Sequence, residues 1–111
     1  MTNLPLEITV RDAAAALRGP AAPFLLDCRT PEEHATARIA GAVLIPMQEL
    51  PERVGELADH KAGPLIVHCH HGMRSLRVAT WLRNQGFALA QSMQGGIDAW
   101  SDDVDPQVPK Y

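Results

Sequence analysis

A chain of 111 residues is the length of about one domain. With 46% hydrophobic and 21% charged residues, its composition excludes a disordered polymer, and such a chain can bury a core without metals or disulfides. The formal net charge of -3, with no run of Lys or Arg, leaves no footprint for nucleic acid or anionic lipid. A small anion remains open as a partner, because a local cluster of donors binds one whatever the net charge.

The opening MTNLPLEITVRD lacks a basic segment followed by an apolar run, so no signal peptide is expected. No stretch approaches the roughly 18 apolar residues of a membrane span. A cytoplasmic, reducing setting is therefore expected. There the two cysteines are packed residues, ligands or reactive thiols rather than a structural disulfide.

In chain order, Leu6–Thr9 reads as a short strand, and Thr9 caps a helix that runs to about Arg18. Phe24–Cys28 is a buried strand. Thr30-Pro31-Glu32-Glu33 opens a second helix, with a cap, then proline, then two acids. Ala42–Ile45 is a strand, and Gln48–Ala58 a helical pattern with Leu50, Val54 and Leu57 on one face. Pro64–His68 is the strongest buried strand, followed by an amphipathic helix over Ser75–Asn84. Ala88–Met93 is the last strand. Gly95-Gly96 turns into a short helix, Ile97–Ser101, and residues from about 102 to 111 form an irregular tail. Alternating strands and helices predict one α/β domain over 1–111, with about five mostly parallel strands covered on both faces. A ligand site then lies at the carboxyl ends of the strands, after His68 and after Cys28.

Residues 69–75, CHHGMRS, follow the best strand and precede a good helix. Cys69 there faces unpartnered backbone N–H groups and the positive end of the helix dipole, which favour the reactive thiolate. Gly72 permits the turn. Arg74 can fold over the loop or meet an anion, and Ser75 can cap the helix or donate to the sulfur. Attack on a sulfane donor such as thiosulfate would leave a persulfide on Cys69, held by the same N–H groups.

Three segments then resemble the single-domain rhodanese-like sulfurtransferases, in order and over nearly the whole chain. They are LLDCRTPEEHATARIAGAVLIP at 25–46, VHCHHGMRS at 67–75 and GGIDAW at 95–100. The resemblance implies a central parallel sheet, a Cys69 persulfide, a binding loop of His70, His71, Gly72, Met73, Arg74 and Ser75, and support from Asp27 and Arg29. It implies no cofactor, a small sulfur-donor anion, and a thiol, cyanide or protein acceptor. Cys28 stands where the family often has an apolar residue, and the paired histidines depart from many members. The His-His-Gly-Met-Arg-Ser loop and the DPQVPKY ending also look like rhodanese domains appended to enzymes that activate ubiquitin-like sulfur carriers. Four residues separate Cys69 from Arg74. Cysteine phosphatases have one more, a wider cradle that suits phosphate.

Two other readings stay beside sulfur transfer: a sulfur-carrying or regulatory module for a partner protein, and a phosphatase or arsenate-reductase-like enzyme. Cys28 reads as a packing residue, with a resolving thiol as its alternative. Consecutive histidines rarely converge on one ion, so no metal is expected. Arg29 is either a structural ion-pair partner of Asp27 or Glu33 or a direct participant. Trp100 reads as core, Asp98 as a solvated or capping residue, and a monomer is favoured.

Overall fold

The computed structural model describes residues 4–111. The first three residues of the segment read above for a leader lie outside it. Five strands form one sheet: β1 (Glu7–Ile8), β2 (Phe24–Asp27), β3 (Val43–Leu44), β4 (Leu65–His68) and β5 (Ala90–Met93). Their order is β1-β5-β4-β2-β3, and every pairing is parallel. The helices are α1 (Val10–Leu17), α2 (Pro31–Thr36), α3 (Leu50–Arg53), α4 (Met73–Asn84) and α5 (Gly96–Asp103).

Strand alternation divides the core in two. On one face Leu26, Leu65 and Val67 pack with Leu50, Val78 and Leu82 from α3 and α4. On the other, Leu25 and Ile66 pack with Ala13, Ile97 and Trp100 from α1 and α5. The central strand β4 is buried on both faces, which is why its residues read as a continuous apolar run rather than an alternation.

Local chemistry sets the helix starts. Thr9 Oγ1 accepts the Asp12 N–H at α1. At α2 a capping box forms: Thr30 Oγ1 accepts the Glu33 N–H at 3.2 Å, and Glu33 accepts the Thr30 N–H at 3.2 Å. Such a cap stabilises a helix by about 1 kcal/mol, and here it also fixes where the Glu33 carboxylate sits.

The structure departs from the sequence reading at several places, and the strand expected over Ala88–Met93 begins only at Ala90, after a turn at 88–89. The strands expected at Leu6–Thr9 and Ala42–Ile45 shorten to two residues each, since only those pair. The expected helix over Gln48–Ala58 is a 3-10 turn, one α-helical turn (α3) and a longer 3-10 segment, Val54–His60. Pro51 enters at the first turn of α3 and Gly55 follows it, so the apolar face survives while a continuous i to i+4 ladder does not. Helix α4 begins at Met73. Helix α5 extends to Asp103, so the first two residues assigned to the tail are helical. Beyond α5 the chain packs back: Val108 is buried, and Ser101 Oγ donates to its carbonyl at 2.6 Å. No helix among the described residues is long and apolar enough to cross a membrane.

Candidate active site

Cys69 follows β4 directly, and its side chain is buried at the mouth of the turn into α4. The Gly72 N–H donates to Cys69 Sγ at 3.1 Å and the Ser75 N–H at 3.3 Å. The thiol in turn reaches Ser75 Oγ at 3.4 Å. Ser75 Oγ lies 2.7 Å from Ser92 Oγ on β5, so a second hydroxyl backs the first. Ser92 is absent from the sequence reading. Its only signal there is a polar residue inside an otherwise buried strand.

The turn is held open by α5. The Ile97 N–H donates to the Cys69 carbonyl at 2.9 Å, and the Asp98 N–H to the His70 carbonyl at 3.1 Å. These bonds take up the carbonyls at the start of the loop and leave its later amides facing the sulfur. Gly72 adopts φ 104°, a left-handed conformation that glycine accepts freely. Gly96 has φ 62°, and a Cβ there would crowd the carbonyls of Cys69 and His70. Close approach between α5 and the loop thus requires glycine at 96.

The neighbouring strand end carries the supporting pair. Register places Asp27 opposite His68. Arg29 Nε and Nη2 donate to the two Asp27 oxygens at 2.9 and 2.8 Å, and the Arg29 N–H adds a third bond at 3.0 Å. The remaining Arg29 donors go to the Glu33 carbonyl, the Ala37 carbonyl and the Tyr111 hydroxyl. Arg29 is wholly buried, and these protein groups engage every side-chain nitrogen. It therefore stands as a brace beneath the site. Burial pushes the Asp27 carboxyl up, but the Arg29 hydrogen bonds, His68 and His34 outweigh it and hold it below the usual carboxylate range. His68 is buried too, and desolvation against a weaker pull from Asp27 lowers it to about 4, so it is neutral.

Arg74 does not project into open solvent. Its guanidinium makes a bidentate pair with Glu33, at 2.7 and 2.9 Å. The Tyr111 hydroxyl donates to the same carboxylate at 2.8 Å while accepting from Arg29 Nη1 at 2.8 Å. The Arg74 hydrogen bonds outweigh burial and, with Tyr111 and Thr30, hold Glu33 far below the usual carboxylate range. Neither Glu33 nor Tyr111 was singled out for the site from the sequence. One was read as a helix-start acid, and the other lies 42 residues beyond Cys69 in the tail.

His70 is sandwiched: its ring stacks on His71 on one side and on Tyr111 on the other. His70, His71 and Asp98 each bring one ligand atom within 4.8 Å of the others, so the two histidines converge more closely than consecutive ligands ordinarily do. They are the residues that could hold an ion here. Asp98 is already paired with Lys110 at 3.3 Å. Met73 is 69% exposed at the rim. Cys28 is buried and donates weakly to the His68 carbonyl at 3.5 Å. Desolvation, then the neighbouring Cys69 and Asp27, push its thiol far above the ordinary range. Both cysteines are free thiols. Trp100 lies in the core of the α1/α5 face.

A free thiol with two backbone N–H groups aimed at it, on a strand-to-helix loop over a five-stranded parallel sheet, defines an α/β protein with a candidate thiol site. The chain belongs to the rhodanese-like domain family, which matches residues 9–103. It is 36% identical over 90 residues to "Thiosulfate sulfurtransferase GlpE" of Stutzerimonas stutzeri, covering 80% of this chain and 79% of that one. It is 36% identical over 91 residues to "Rhodanese-like/PpiC domain-containing protein 12, chloroplastic" of Arabidopsis thaliana, covering 78% of this chain but spanning only 30% of that protein's length. The crystal structure of a rhodanese-like domain protein from Staphylococcus aureus superimposes with a TM-score of 0.81 at 28% identity, over 96% of this chain and 99% of that one. Relatives of similar length, the Stutzerimonas stutzeri protein among them, carry the name sulfurtransferase.

Proposed function

We propose that this protein moves sulfane sulfur from a small donor, of which thiosulfate is the simplest, to a thiophilic acceptor through a persulfide on Cys69. One observation carries the reading: two backbone N–H groups, from Gly72 and Ser75, are aimed at the Cys69 sulfur. Preorganised amides favour negative charge at that atom in the thiolate and in the persulfide alike.

The step balances simply. The Cys69 thiolate attacks the outer sulfur of the donor and a new S–S bond forms. The donor's own S–S bond breaks, and sulfite leaves with the electron pair when thiosulfate is the donor. Ser75, backed by Ser92, turns its O–H toward the sulfur as charge develops there. A cyanide or thiol acceptor then removes the outer sulfur and restores the thiolate. No cofactor enters. Asp27 and Arg29 hold the strand end that frames the loop, and the four-residue gap from Cys69 to Arg74 suits a terminal sulfur better than a phosphate group. Two free, buried cysteines suit a reducing, cytoplasmic setting.

Thiocyanate release from thiosulfate and cyanide tests the assignment. The full chain is expected to turn over, and Cys69→Ser to lose all activity while keeping its far-UV spectrum. Undiminished release from Cys69→Ser would reject the role of Cys69. A carrier module for a partner protein is the second reading, favoured by the domain's occurrence within the longer Arabidopsis thaliana protein. It predicts a persulfide that forms but discharges only to that partner.

A further inference from the structure

Resting on the sulfur-transfer reading, we infer that Glu33 sets the donor class. By taking up the charge of Arg74, it turns the site toward alkyl persulfides and away from dianions such as thiosulfate.

Within the loop 69–75, Arg74 is the one fixed cation. Both its terminal nitrogens are bound to Glu33, at 2.7 and 2.9 Å. The Tyr111 hydroxyl locks that carboxylate from the other side, and Arg29 holds the hydroxyl. Two nearby cations are engaged likewise: the buried Arg29 by Asp27, and Lys110 by Asp98 and Asp102. A thiosulfate arriving at the Cys69 thiolate would gather about three negative charges around one sulfur with no uncommitted cation in the loop to offset them, and like charges a few ångströms apart repel more strongly near a protein surface than in bulk water. A hydropersulfide brings no charge, and its anion only one. The rim also fits a carrier with an organic body. Met73, in the same loop, is 69% exposed, and the rings of Tyr111, His70 and His71 form a stack.

With a hydropersulfide donor the Cys69 thiolate bonds to the terminal sulfur, and the donor's S–S bond breaks. The departing thiolate takes the proton from the transferred sulfur and leaves as a thiol. No oxidant or reductant is needed.

The test is the second-order rate of sulfur loading on Cys69, read by intact mass, with thiosulfate and with glutathione persulfide as probes. The variants are Glu33→Gln and Tyr111→Phe. Gln retains the capping box with Thr30, and Phe retains the stack on His70 while losing the hydroxyl. Wild-type protein is expected to load faster from the persulfide. Glu33→Gln, which frees the Arg74 charge, is expected to raise the thiosulfate-to-persulfide ratio at least about tenfold. Tyr111→Phe is expected to move the ratio the same way by less, and it decides the matter if Glu33→Gln does not fold. A ratio unmoved in the folded variants, or a wild-type preference for thiosulfate, overturns the inference. If neither donor loads Cys69, the sulfur-transfer reading itself fails, a result distinct from an unmoved ratio.

Discussion

The ring of Tyr111 lies flat on the imidazole of His70, 3.9 Å between centroids and 8° from parallel. This contact ties the last residue of the tail to the loop that carries Cys69, and its hydroxyl ties the same residue to Arg29 and Glu33. Stacking and hydrogen bonding are separable here. Tyr111→Phe is expected to destabilise the fold by about 1 kcal/mol, the usual net value of a hydrogen bond. Tyr111→Ala, losing ring and hydroxyl together, is expected to cost about 2 kcal/mol. Urea unfolding followed by fluorescence measures both, and equal losses in the two variants would mean that the stack contributes nothing.

Gly96 is the tightest joint in the site. A side chain there meets the backbone of Cys69 and His70 and must also adopt a positive φ. Gly96→Ala is expected to lower stability by more than about 2 kcal/mol, because the obstructing atoms are backbone and cannot rotate away. It is also expected to slow sulfur loading, since the amides of Ile97 and Asp98 lose their grip on the loop carbonyls. A variant with the stability and loading rate of the wild type would show that α5 does not position the loop.

The pH dependence of stability has a specific source in His68. Burial lowers this imidazole from its ordinary value near 6.5 to about 4. Between those values the unfolded chain binds a proton that the folded protein refuses. His68 therefore leaves stability unaffected above pH 6.5 and reduces it as pH falls toward 4, by on the order of 3 kcal/mol. Denaturant titrations across this range should show the slope in wild-type protein and a shallower one in His68→Asn. Identical slopes would mean that His68 is protonated in the folded state.

Much of this arrangement was legible in the amino-acid order. Apolar runs at 24–28 and 64–68 marked buried strands, and the capping residues Thr9 and Thr30 marked helix starts at the observed places. Cys69, Gly72 and Ser75 stand close in sequence, so one turn brings them together. What stayed hidden depends on distance along the chain. Ser92 reaches Ser75 only because β5 pairs with β4, and Tyr111 reaches Glu33 only because the tail folds back. The partner of Arg74 was hidden for another reason. Glu33 serves a helix cap and an ion pair at once, and its sequence position pointed to a helix start and to Arg29, which reaches only its carbonyl, rather than to Arg74.

Ser92 offers a mild perturbation of the chemistry. Its hydroxyl lies 2.7 Å from Ser75 Oγ, while Cys69 lies beyond Ser75. Ser92→Ala is expected to slow sulfur loading about fivefold, the equivalent of roughly 1 kcal/mol for one lost hydrogen bond. Rates follow from rapid-quench mass spectrometry. An unchanged rate would remove Ser92 from the account and leave Ser75 to act alone.

Cys28 tests whether a second thiol takes part. Its sulfur is buried and strongly disfavoured as a thiolate. Cys28→Ala is expected to load sulfur on Cys69 at a rate near that of the wild type, with a stability loss of about 1 kcal/mol for the small cavity. A Cys28–Cys69 linkage found by peptide mapping after mild peroxide would contradict the packing role.

The most direct measurement is intact mass after incubation with a sulfane donor in excess. The protein is expected to gain about 32 Da, one sulfur atom, removable by cyanide or dithiothreitol, and Cys69→Ser is expected to gain nothing. A wild-type mass that never changes, or the same gain in Cys69→Ser, would contradict the claim that the amides of Gly72 and Ser75 make this sulfur the one that carries the cargo.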